Sequence, residues 1–186
     1  MSAHRLAYRY AKSLLDLAII RNKLDLLNDD VRMLQAAMDS NRDFVLMLKS
    51  PIIKPDKKQK ILNLVFGGRL DEIMMAFIEI VVRKKRERFL PEITRAFIEM
   101  YNLKNHITPA RITTAVELDS EISGALEDLM RSRFGLTTIE LSREVNEDII
   151  GGFILQFEDK LFDTSVRSRL NSLVRDFKSN TYIKNF

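Results

Sequence analysis

Cysteine is absent from the 186 residues, and with it go disulfides, thiolate catalysis and cysteine-ligated metal. Histidine is scarce. His4 and His106 stand far apart with no carboxylate at ligand spacing, so no metal site is expected. Six glycines and four prolines are too few for an all-β chain, and helix should dominate. No segment approaches the ~20 apolar residues of a membrane span, so no direct membrane insertion is expected. The N-terminus has early charge, no continuous apolar stretch and no small-residue cleavage site. It reads as part of the fold and not as a secretory signal. Catalytic pairings are missing too. Gly151-Gly152 lacks the Lys-Ser/Thr of a P-loop, and no carboxylate pair sits in an apolar setting that would tune one as an acid. No catalytic residue and no cofactor are expected.

What is present is ordinary for a globular chain: 46% hydrophobic and 30% charged residues. The net charge of +4 is unevenly spread. Up to Asn105 there are 20 Lys/Arg against 13 Asp/Glu, and from His106 onward 10 against 13. A basic half joined to a mildly acidic half suggests two modules with different partners.

The first half repeats short amphipathic helices. Leu6, Tyr10, Leu14 and Leu17 share one helical face. Leu24, Leu27, Val31, Leu34 and Met38 repeat the period, with Asn28, Asp29, Asp30 and Arg32 expected to point outward. A short helix around Phe44 to Leu48 stops at Ser50-Pro51. The next starts at Lys54-Pro55-Asp56, carries Ile61, Leu62, Val65 and Phe66 as its apolar side, and ends at Gly67-Gly68. Ile73, Met74, Phe77, Ile78 and Val81 mark a fifth helix, ending in the cations Arg83 to Arg86. Pro91 fits the first turn of a sixth. Six helices with short joints predict a bundle over 1–105.

The period changes near Pro109. Ala110, Ile112, Thr114 and Val116 alternate as a strand with one buried face. A helix carrying Ile122, Leu126, Leu129 and Met130 follows, then strands around Thr137 to Leu141 and Ile149 to Phe157. The third turns at Glu158-Asp159-Lys160 and returns through Leu161-Phe162. Asp163-Thr164-Ser165 then caps a last helix bearing Val166, Leu170, Leu173 and Phe177. Residues 106–186 are therefore expected to form a smaller α+β module, a sheet with two helices. Polar residues between Tyr101 and Pro109 place the boundary.

The cations Arg83, Lys84, Lys85, Arg86 and Arg88 admit two readings. One is a phosphate-binding patch, which makes a small basic helical nucleic-acid binder the alternative function. The other is a solvated helix end. The absence of an aromatic stacking platform favours the second.

Three segments together resemble one family. Tyr8-Arg9-Tyr10-Ala11-Lys12-Ser13-Leu14-Leu15-Asp16-Leu17-Ala18 is similar to its opening helix, R-Y-A-K-A-L-F-x-L-A. Leu48-Lys49-Ser50-Pro51 with Lys60-Ile61-Leu62 is similar to its S-P joint. Gly151-Gly152-Phe153 through Asp163-Thr164-Ser165-Val166 to Leu170 resembles its G-G…D-x-S-V-x-x-x-L signature. The family is the delta subunit of the bacterial and chloroplast ATP synthase, equivalent to the mitochondrial oligomycin-sensitivity-conferring protein. The resemblance covers essentially the whole chain, with Ser13 and Leu15 as departures and a tail from Asn180 to Phe186.

This resemblance implies a non-catalytic stator subunit, one copy per complex, peripheral at the cytoplasmic face of the membrane and without nucleic acid. The bundle would grip the N-terminal helix of an alpha subunit between the first and fifth helices, and the second module would hold the C-terminus of the b-type stalk. The expected groove residues are Ala7, Ala11 and Leu14 on the first helix, and Met74, Phe77, Ile78 and Val81 on the fifth. The expected signature residues are Gly151, Gly152, Asp163, Ser165, Val166 and Leu170.

Overall fold

The computed structural model describes residues 3–117 and 138–178, with the single positions 119, 124 and 131. The chain divides into two compact units, 1–104 and 105–186.

The first unit contains six helices: α1 (Ala3–Ile20), α2 (Leu24–Ser40), α3 (Arg42–Lys49), α4 (Pro55–Phe66), α5 (Glu72–Arg83) and α6 (Leu90–Lys104). Their ends follow local chemistry. Asn41 caps α3 by accepting from the Phe44 N–H at 3.1 Å, and Asp71 caps α5 by accepting from the Ile73 N–H at 2.9 Å. Pro55 opens α4, where its missing N–H costs nothing. The core runs through Ala11, Leu14, Leu27, Leu34, Leu48, Leu62, Ile78, Leu90 and Phe97. α1 packs most extensively along α6, and its small residues Ala7, Ala11 and Ala18 are buried.

Two expectations for this unit need correction. Asn28 and Asp30 do not point outward; both are buried. The Asp30 carboxylate accepts from the Asp71 backbone N–H at 2.8 Å, tying α2 to the start of α5. Burial pushes the Asp30 carboxyl above its ordinary value. In α4, Leu62 and Phe66 are buried, whereas Ile61 and Val65 are exposed. The third buried position is Lys58, 2% exposed, whose ammonium donates to Glu87 at 2.7 Å and to the Leu48 carbonyl at 2.8 Å. A lysine thus joins α4, the end of α3 and the 3-10 turn Glu87–Phe89 that leads into α6.

The second unit holds a four-stranded sheet, β1 (Ile107–Thr114), β2 (Thr138–Val145), β3 (Phe153–Phe157) and β4 (Lys160–Asp163), in the order β2-β1-β3-β4. β1 and β2 are parallel and the other pairs antiparallel. Ala110, Ile112, Leu155 and Phe157 form the core, with Ile139, Leu141 and Phe153 packed against it. The last helix, α7, spans Val166–Lys178. The helix expected around Ile122 to Met130 lies outside the described residues.

The strand boundaries differ from the expected ones. β1 starts before Pro109 and stops at Thr114, leaving Val116 exposed. Pro109 stands opposite Glu140 of β2, whereas β3 pairs with β1 only from Ala110 onward, so the proline lies where β1 has one neighbour instead of two. β3 starts at Phe153, not Ile149. Residues Glu147–Ile149 form a 3-10 turn, and Gly151-Gly152 is a bend before the strand instead of part of it.

Candidate partner-binding site

A cleft of about 610 Å³ opens beside α1 and α5. Leu17 supplies one wall, and Ile73, Ala76, Phe77 and Ile80 the other. Arg21, Lys23 and Glu72 line its polar end. There the Lys23 ammonium donates to the Asp71 carboxylate at 2.6 Å. That hydrogen bond, followed by the one from the Ile73 N–H, holds the Asp71 carboxyl below its ordinary value. Toward the N-terminal part of α1, Tyr10 meets Phe77 edge-on, with ring centroids 6.3 Å apart. An apolar trough with charged ends suits an amphipathic helix.

Of the seven groove residues expected from the sequence, only Phe77 lines this cleft. Ala7, Ala11, Leu14, Met74, Ile78 and Val81 are all buried in the bundle. The physical reason lies in α1: its alanines let another helix approach closely, and that helix is α6. Leu17, Ile73, Ala76 and Ile80 also line the cleft and are not among the seven residues expected. The signal for Ile73, Ala76 and Ile80 was present in α5, where Glu79 alone interrupts the apolar run from Ile73 to Val82. A helix in such a bundle needs only one apolar stripe, so the second stripe marked a surface.

The cations from Arg83 to Arg88 are not one patch. Arg83 ends α5 and Lys84 and Lys85 follow it, all three exposed. Arg86 turns back to donate to the Tyr10 hydroxyl at 2.6 Å. Arg88 lies over the Phe89 ring at 4.5 Å.

In the second unit the signature residues build a clasp between β3 and α7. Gly152 has φ +76, and a Cβ there would stand 2.5 Å from the Thr164 carbonyl oxygen, so the approach admits only glycine. The Val166 N–H donates to the Gly151 carbonyl at 3.0 Å, and the Thr164 N–H to the Phe153 carbonyl at 3.0 Å. Ser165 caps α7 by accepting from the Ser168 N–H at 3.2 Å. Asp163 accepts from the Ser165 N–H at 2.8 Å. Beyond the clasp, α7 buries no residue, and Val166, Leu170, Leu173, Val174 and Phe177 form an exposed apolar stripe. Among the described residues no cluster of His, Asp or Glu could hold a metal ion, and no helix is long and apolar enough to cross a membrane.

Hydrogen bonds from the Ser165 side chain, then from its backbone N–H, hold the Asp163 carboxyl below its ordinary value. A carboxyl lowered in the folded state stabilises above its unfolded value, near 3.9. That stability is lost as pH falls through the folded value. Thermal melts between pH 5 and 2 should therefore show Asp163→Asn with a shallower acid limb than the wild type. Identical pH slopes would remove Asp163 from the clasp's energetics.

Residues 6–177 match the model of the family described as ATP synthase delta (OSCP) subunit. The chain belongs to that family. It is 34% identical over 177 residues to ATP synthase subunit delta of Cytophaga hutchinsonii, covering 95% of this chain and 96% of the relative. The delta subunit of Christiangramia forsetii is 34% identical over 183 residues, covering 98% of each. The fold resembles a chain in the cryo-EM structure of the Toxoplasma gondii mitochondrial ATP synthase hexamer. There the TM-score is 0.70 at 21% identity, over 94% of this chain and 98% of that one. The protein is thus a non-catalytic stator subunit of an ATP synthase, which decides against the nucleic-acid alternative.

Proposed function

We propose that the first unit of this delta-family protein grips the N-terminal helix of the synthase alpha subunit in the cleft beside α1 and α5. The second unit holds the C-terminus of the b-type stalk on the exposed stripe of α7. One copy would then tie the catalytic head to the stalk, at the cytoplasmic face of the membrane, and resist the torque of the rotor. The observation that carries this reading is the cleft itself: Leu17, Ala76 and Ile80 are exposed and Ile73 and Phe77 only half-buried, an apolar surface that a bundle of this size has no need of.

Ile80→Asp tests it. Ile80 is 43% exposed, so the substitution leaves the core alone. A charge placed in a desolvated helix contact costs roughly 2–5 kcal/mol. A synthetic alpha N-terminal peptide should therefore bind at least about thirtyfold more weakly, with an unchanged melt. In a pull-down from membrane extract the wild type should return both head and b-type chains, and the variant the b-type chain alone. Full peptide affinity in Ile80→Asp would exclude the cleft. Failure of the wild type to recover a b-type chain would exclude the stalk assignment.

A further inference from the structure

The Arg83 to Arg88 stretch contains a residue that the cleft does not use directly. α5 ends in a paired turn: the Lys85 N–H donates to the Val82 carbonyl at 2.8 Å, and the Arg86 N–H to the Val81 carbonyl at 3.0 Å. Lys85 takes φ +57, the left-handed conformation such a helix stop requires. That turn reverses the chain, so Arg86 is half-buried while its neighbours Lys84 and Lys85 are exposed.

Arg86 makes two contacts with one ring. Its guanidinium donates to the Tyr10 hydroxyl at 2.6 Å, and its Cζ lies 5.5 Å from the Tyr10 ring centroid. Tyr10 in turn stands edge-on to Phe77 at an interplanar angle of 68°. Phe77 is the one aromatic side chain in the cleft. A chain of three residues therefore runs from the end of α5, across α1, and back to the cleft wall. At the opposite end, the Lys23–Asp71 ion pair links the α1–α2 turn to the start of α5. The cleft is cross-linked at both ends.

We propose that Arg86 is a positioning residue for the cleft. Through Tyr10 it fixes the spacing of α1 and α5 and the orientation of Phe77, so that the trough is open to a helix before one arrives. The guanidinium suits this role because its planar fork can satisfy a hydroxyl and cover a ring face together, which an ammonium cannot. Preorganisation of this kind appears in affinity, because a bound partner no longer has to order the Phe77 side chain.

The inference rests on the cleft reading, and the test separates the two. The full-length chain is titrated with the synthetic alpha N-terminal peptide, as wild type, Arg86→Met, Arg86→Lys, Tyr10→Phe, Phe77→Ala and the double variant Arg86→Met/Phe77→Ala. Arg86→Met should weaken binding about tenfold, Arg86→Lys should not restore it, and Tyr10→Phe should lose a comparable factor. On the Phe77→Ala background, Arg86→Met should add little, because the side chain it positions is gone. A merely structural role would lower the melting temperature without this coupling. Tyr10→Phe removes a single oxygen and keeps the ring contact, so it carries the test should Arg86→Met fail to fold. Wild-type affinity in Tyr10→Phe and Arg86→Lys, or losses that add independently to that of Phe77→Ala, would overturn the inference alone. A wild-type chain that does not take the peptide would overturn the cleft reading and this inference with it.

Discussion

Lys58→Met should destabilise the chain by about 3–5 kcal/mol, the usual result of stripping one partner from a buried ion pair. Lys58 and Glu87 are both almost fully buried, 2.7 Å apart. Removing the ammonium leaves the Glu87 carboxylate without its counter-charge and the Leu48 carbonyl without the donor it has at 2.8 Å. The pair itself is a different matter. Desolvating two charges costs nearly as much as their attraction returns, so Lys58→Met/Glu87→Leu should recover most of the loss. Urea unfolding of the full chain measures both. A single variant within about 1 kcal/mol of wild type would show that Glu87 finds another partner or reaches water.

Ala11→Asp should be comparably damaging. Ala11 is wholly inaccessible, on the face of α1 that faces the bundle. A carboxylate there has no counter-ion and no space, and the cost of an uncompensated buried charge is again about 3–5 kcal/mol. The introduced carboxyl would escape part of that cost by staying protonated, so its pKa would rise. A group raised in the folded state destabilises most at high pH, and the deficit should shrink as the medium is acidified. Melts at pH 7 and pH 5 test both parts. A variant melting with the wild type at pH 7 would return Ala11 to the surface and reopen the groove assignment made from the sequence.

Periodicity located the six helices of the first unit because each carries an apolar stripe at helical spacing and an evident stop, such as Ser50-Pro51 or Gly67-Gly68. It could not say which stripe meets which neighbour. Ala7, Ala11 and Leu14 fit a partner groove and a helix–helix core equally well, since small residues permit close approach in both. The decision depends on α6, nearly a hundred residues away in the chain. Buried polar positions were hidden for a related reason. Asp30 occupies a place that reads as solvent-facing, and the backbone N–H of Asp71 makes its burial tolerable, as the Glu87 carboxylate and the Leu48 carbonyl do for Lys58. In the second unit the cap of α7 was legible because its chemistry is local to Asp163, Thr164 and Ser165. The bend at Gly151-Gly152 was not, because alternation of apolar residues continues through it and disguises the start of β3.

The order of the strands has a consequence for the birth of the protein. Every buried apolar side chain of the first unit lies at or before Tyr101, so the ribosome has supplied that whole core before β1 is made. β1 is then central in a sheet whose other members do not yet exist. Its parallel neighbour begins only at Thr138, and its antiparallel neighbour ends at Phe157. At the usual ~5–20 residues per second of synthesis, β1 waits roughly 1.5–6 s with both edges open until β2 is complete, and about 2–9 s before β3 can cover the second edge. For that interval Ala110 and Ile112 belong to an unpaired strand, the kind of edge that invites pairing with another chain. The nascent protein is thus most vulnerable when its bundle is already complete.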